Sequence, residues 1–205
     1  CKWFAKKIGF NDSSGGIAAS GGTLSNLNAL IAARNNAGLG SNPNSVLLIS
    51  EDAHSSFIKC IRIMGLDAAN LVRIKTDNQG RMDINNLRKS LNKCLIENKK
   101  IFAIVATLGT TVRGAIDPIK EISEICKERN IWLHIDGSIG GIFALSSIQI
   151  EGLNNINQAN SITINPQKII GITKTSSLLL VANMNTLQKT LSLIHISEPT
   201  RLERI

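Results

Sequence analysis

Four places in this 205-residue chain carry side chains able to do chemistry, and each sits beside a short apolar or glycine-rich run. Lys168 follows "SITINPQ", so an amine able to form a Schiff base stands just past an apolar alternating segment. The plainer use of such a lysine is a solvated ammonium in a connection. Asp136 closes "IWLHID", where a carboxylate is partly buried and needs a cationic partner, unless it caps the next turn. His54 follows "VLLISEDA", and a histidine on its own is more often structural or solvated than functional. Ser20-Gly21-Gly22-Thr23 runs into "LSNLNALIAARNN" and would set backbone N–H groups and a hydroxyl at a helix N-terminus, where a phosphate is stabilised. Taken alone, that stretch reads first as a glycine-containing turn with Thr23 as the N-cap.

The elements around these residues give them a common address. β-branched runs predict buried strands over 46–50, 71–74, 101–107, 131–136, 161–164 and 177–182. Between them lie helical patterns. One starts at Asp83 as N-cap, with Ile84, Leu87, Leu91 and Leu95 on one face. Another starts at Pro118 and carries a stripe of Ile119, Ile122, Ile125 and Cys126. Strand and helix in alternation predict an α/β fold with a mostly parallel sheet, in one body with no linker or internal repeat. Ligands of such sheets collect at the carboxyl ends of the strands. His54, the "LGTT" of 108–111, Asp136 and "NPQK" all follow strands directly, and Gly140-Gly141 marks a close backbone passage after Asp136.

A phosphate cradle, a buried acid and a lysine at strand ends together fit pyridoxal 5'-phosphate, which needs an anion site, an acid beside its pyridinium nitrogen and an amine for its aldehyde. The wording of the motifs is more specific. "SGGTLSNLNALIAAR", "SEDAHSSFIKCIRIMGL", "VATLGTTVRGAIDPI", "WLHIDGSIGG" and "SITINPQK" resemble, in order, blocks of the fold-type-I pyridoxal-phosphate-dependent amino-acid decarboxylases, the group that includes glutamate, aromatic amino acid, aspartate and diaminobutyrate decarboxylases. The resemblance runs from about Gly15 to about Val181. It implies that Lys168 is the Schiff-base lysine, that His54 stacks on the cofactor ring, and that Asp136 pairs with the ring nitrogen with Thr111 beside it. It further implies that Gly22, Thr23 and Asn165 line the phosphate, and that Ser138 packs on the ring face opposite His54. Gln167, where many members have histidine, can still donate a hydrogen bond and is expected by the resemblance to bind the cofactor beside the lysine; Ile169 and Leu24 also depart from the usual pattern. The reaction implied is decarboxylation of an L-amino acid to its amine, carried out by a homodimer with active sites at the interface. An aminotransferase or carbon–carbon lyase of the same fold type, or a non-catalytic remnant, stands as the alternative.

Composition narrows the surroundings. The formal charge of +8 comes from dispersed lysines and arginines without interleaved aromatics, which argues against nucleic acid as a partner. No apolar run approaches the roughly 18 residues of a membrane helix. Four scattered cysteines without a CxxC pair argue against zinc and a disulfide framework, and fit reduced thiols in a cytoplasmic setting. The chain opens on Cys1 and contains no tyrosine, whereas the family carries one on a mobile loop. Residues 1–190 are therefore expected to be part of a large cofactor-binding domain, inactive on its own. The segment "LSLIHISEPTR" resembles a translated sequencing adaptor, so 191–205 is expected to be a foreign tail.

Overall fold

The computed structural model describes residues 1–146, 150, 152–173 and 176–191. The expected foreign tail lies outside the described residues from position 192 onward. A seven-stranded sheet organises the rest. Its strands are β1 (Gly15–Ala19), β2 (Ser45–Ser50), β3 (Leu71–Ile74), β4 (Lys100–Thr107), β5 (Trp132–Gly137), β6 (Ser161–Ile164) and β7 (Ser177–Val181), in the spatial order β1-β7-β6-β5-β4-β2-β3. The run from β3 to β6 is parallel, and β7 alone points the other way, antiparallel to both β6 and β1. The expected α/β architecture is present. One strand was not foreseen: "GGIAA" at 15–19 pairs with β7 rather than forming part of a glycine-rich turn. Gly16 shows why two glycines are tolerated there, because a Cβ would fall 2.2 Å from the carbonyl oxygen of Leu179.

Helices cover both faces. On one side lie α1 (Lys2–Lys7), α4 (Ile84–Ile96) and α5 (Ile119–Arg129), packed over Val46, Leu48, Ile104, Leu133 and Ile162. On the other lie α2 (Gly22–Asn36) and α3 (Ser56–Ile63), over Leu47, Ile49, Ala103, Val105 and Trp132. The chain closes with a single turn, α6 (Pro166–Ile169), and with α7 (Met184–Leu191). Alternation along the strands sends successive side chains to opposite cores. It breaks once, where the β2–β4 register jumps between Val46 and Leu47 and sets Phe102 and Ala103 in the same cluster.

Local chemistry explains the helix boundaries. Asp83 caps α4, its carboxylate accepting the Asn86 N–H at 2.7 Å. The stripe of α4 departs from expectation at its end. Leu95 is 70% exposed, and Cys94, one residue earlier, is buried in its place. Pro118 is the N-cap residue of α5 rather than its first helical residue. Helix α2 buries Ser25, Asn26, Ala29, Leu30, Ala32, Ala33 and Arg34. It starts from the β1 edge and packs across β7, β6, β5 and β4 before the chain enters β2. Three alanines let it lie close to the sheet, and that path brings its N-terminus to the carboxyl ends of β5 and β6. Arg34 anchors its far end by donating to the carbonyls of Leu39, Met64 and Asn42 at 2.9–3.1 Å.

Candidate functional site

At the carboxyl ends of β4, β5 and β6 the chain opens into a cleft with about 200 Å³ of room. Every residue expected to act lines it: Gly22 and Thr23 from the first turn of α2, His54 from the turn before α3, Thr111 from the loop after β4, Asp136 and Ser138 from the end of β5, and Asn165, Gln167 and Lys168 from the start of α6. Residues separated by more than a hundred positions in sequence meet here because parallel strands all end at the same edge.

Asp136 is buried, at 5% exposed, but not beside a cation. Its carboxylate is held by neutral donors: the Ser138 backbone N–H to Oδ1 and the Asn26 amide to Oδ2, each at 3.1 Å. The Ser138 bond is the expected cap on the next turn, and the expected cation is the ligand's, so among the described residues Asp136 is held by neutral donors alone. His54 accepts the Ser56 backbone N–H on Nδ1 at 3.2 Å, with the Ser56 hydroxyl at 2.9 Å from the same nitrogen. In the neutral ring the proton is thereby assigned to Nε2. Gln167 accepts the Ser176 N–H on its side-chain oxygen at 2.9 Å. Lys168 is exposed in the mouth of the cleft, on one helical turn that begins at Pro166, where a missing N–H costs nothing.

Two observations test whether a phosphorylated aromatic ring suits this cleft. Helix α2 begins without a side-chain cap, and Thr23 lies inside its first turn rather than at the N-cap. A Cβ added to Gly22 would lie 2.6 Å from Asn165 Nδ2 and 2.9 Å from Ser138 Oγ. Glycine thus leaves a concavity edged by an amide donor, a hydroxyl and a helix N-terminus, a donor set made for an anion. Secondly, the Thr107 hydroxyl is buried against the cleft without a hydrogen-bond partner among the described residues, so a polar ligand atom has a group to meet. Pyridoxal phosphate fits both.

Over residues 1–196 the chain matches the pyridoxal-dependent decarboxylase conserved domain. It belongs to the pyridoxal-dependent decarboxylase family. Among curated members, it is 32% identical over 188 residues to the aromatic-L-amino-acid decarboxylase of Bacillus atrophaeus, covering 92% of this chain and 39% of that protein. It is 34% identical over 189 residues to the L-aspartate decarboxylase dtxS4 of Metarhizium robertsii, covering 89% and 38%. The chain thus spans about two fifths of the length of these relatives. Its fold superposes on mouse CSAD in apo form with a TM-score of 0.87 at 28% identity, over all of this chain and 43% of that one. The glutamate decarboxylase domain of the Vibrio parahaemolyticus diaminobutyrate-pyruvate transaminase and L-2,4-diaminobutyrate decarboxylase gives 0.87 at 29%, over 92% and 43%.

Several residues of this decarboxylase-family cleft escape a motif reading. Asn26, Ser56, Thr107, Gly109 and Ile139 also line it. Asn26 had a usable signal, being one helical turn beyond Gly22 and Thr23 and so on their face. Ser177 had none. It pins Asn165 from behind by donating to its Oδ1, which turns the amide nitrogen toward Gly22.

Proposed function

We propose that this chain carries the cofactor site of an enzyme that removes the α-carboxylate of an L-amino acid and releases the amine. The single observation that carries this reading is the meeting of Lys168, Asp136, His54 and the bare α2 N-terminus in one cleft. Bound pyridoxal 5'-phosphate supplies a protonated ring that takes up the electron pair left when the carboxylate departs. The rest is done by side chains. Lys168 is the residue whose amine would hold the cofactor and would give up that place to a substrate amine. Asp136 accepts the ring N–H and keeps that proton in place as charge develops. His54, its ring fixed through Ser56, covers one face of the cofactor and Ser138 the other, with Thr111 beside Asp136. Gly22, Thr23 and Asn165 take the phosphate, and Gln167 braces the turn that presents the lysine.

The proteins named above act on aromatic amino acids and on aspartate at nearly equal identity to this chain, so the substrate proposed is an L-α-amino acid as a class. We place the enzyme in the cytoplasm, on the strength of its unpaired, buried Cys60, Cys94 and Cys126. Among the described residues, no helix is long and apolar enough to cross a membrane. The test has two arms. Borohydride reduction of cofactor-loaded protein, followed by peptide mapping, should fix the label on Lys168. A panel of amino acids offered to the full-length protein that contains this chain should yield carbon dioxide and the matching amine. A label on Lys174, or stoichiometric keto acid in place of carbon dioxide, overturns the reading.

A further inference from the structure

The cleft's carboxylate is the last member of a buried file of polar side chains. Trp132, His134 and Asp136 alternate along β5 and so face the same side of the sheet. The β5–β6 register sets Ser161 beside His134, and Asn26 of α2 lies over both. The file is continuous. Trp132 Nε1 lies 2.8 Å from Ser161 Oγ, that hydroxyl 2.8 Å from His134 Nδ1, His134 Nε2 3.0 Å from Asn26 Oδ1, and Asn26 Nδ2 3.1 Å from Asp136 Oδ2. All five residues are buried.

The two ends dictate the direction of every bond between them. An indole N–H only donates, and an ionised carboxylate only accepts. Asn26 therefore turns its NH2 to Asp136, which leaves its oxygen facing His134 Nε2. An oxygen there requires N–H on the ring, so Nδ1 is bare and accepts the Ser161 hydroxyl, whose oxygen in turn accepts from Trp132. Each bond points toward Asp136, and aligned bonds in a dry interior reinforce one another.

Resting on the reading that Asp136 serves the cofactor's ring nitrogen, we propose that Asn26 and His134 are positioning residues that hold Asp136 as an oriented carboxylate, with Trp132 and Ser161 fixing the histidine's tautomer. The Ser138 N–H and the Asn26 amide fix both carboxylate oxygens, so the group cannot swing away from the cleft. A neutral histidine suits the burial. Desolvation holds the His134 ring below the usual histidine range against the opposing charge of Asp136 and the nearby Ser161 backbone.

The test reads the file directly and then its effect. In the full chain with 15N-labelled histidine, the three histidines can be assigned by single substitution. At pH 7 His134 should show a protonated Nε2 and a bare Nδ1, with or without cofactor. An Nδ1–H tautomer, or an imidazolium, overturns the proposal. In the cofactor-loaded full-length protein that contains this chain, His134→Leu should lower kcat about tenfold or more while KM and cofactor affinity stay within about threefold, because the loss lies in how Asp136 meets developing charge. His134→Gln, which can still present an N–H to Asn26, should stay within about threefold of the parent. Equal losses in the two variants overturn the positioning role. The tautomer is read without turnover, so the expected tautomer in a protein that releases no carbon dioxide supports the file and counts against the proposed reaction instead.

Discussion

At the scale of single residues, the cleft depends on one absent side chain as much as on the reactive ones. Gly22 leaves the space between Asn165 and Ser138 open, and Asn165 cannot retreat because Ser177 holds it from behind. Gly22→Ala places a methyl group where an anion's oxygens are expected, at a helix start where alanine itself is well tolerated. Affinity for pyridoxal phosphate, measured by absorbance titration, should fall at least about tenfold, some 1.4 kcal/mol, and the melting temperature should fall too, because the methyl group meets Asn165 and Ser138 at under 3 Å. Unchanged affinity would mean that the phosphate lies elsewhere. Lys168, His54 and Asp136 were legible in the sequence because each is a reactive type directly after an apolar run. Ser177 was not, since its value lies wholly in what it touches across the fold, and Asn26 showed only its place one helical turn beyond Gly22 and Thr23.

At the scale of elements, Asp117 joins β4 to the segment before α4. Its carboxylate accepts the Thr107 N–H and the Met82 N–H, both at 2.7 Å. Burial raises its pKa to about 6, and those two N–H bonds offset only part of the effect. A raised carboxylate pKa means that the folded chain holds the proton more tightly than the unfolded one. Stability from this group is therefore complete below about pH 4 and is lost as pH rises toward about 6, by up to about 3 kcal/mol. His134 has the opposite sign: burial disfavours its charged form, so its contribution is lost as pH falls below the ordinary histidine range. Urea unfolding of the parent and of Asp117→Asn at several pH values separates the two. The parent-minus-variant difference should shrink between about pH 4 and pH 6 and then level off. A difference that grows across this range would show that the two N–H bonds outweigh the burial.

At the scale of the molecule, exposed apolar side chains stand next in sequence to residues that line the cleft. Val112 is 93% exposed beside Thr111, Leu24 follows Thr23, and Ile169, Ile170 and Ile172 follow Lys168. Exposed apolar groups flanking a functional cleft are what a partner surface looks like before it is covered. They support the proposal that two copies of the chain associate there as a homodimer. Sedimentation at micromolar concentration should report twice the chain mass, and Val112→Glu with Ile170→Glu should shift the protein toward monomer. A parent that sediments as a monomer removes the proposal. Strand and helix alternation, the parallel sheet and the strand-end position of the site followed from the sequence, because period-two and period-3.6 patterns and motif order are local properties. What only the tertiary structure decided is non-local. Strand β1 was hidden because two glycines carry no apolar signal, and only pairing with β7 makes them a strand. The inward face of α2 was hidden because its apolar residues surround the helix, so contact with the sheet selects Ser25 and Asn26 for burial. The surroundings of Asp136 were likewise a matter of assembly: the sequence pointed to a buried acid, and packing supplied the Ser138 and Asn26 donors that hold its two oxygens.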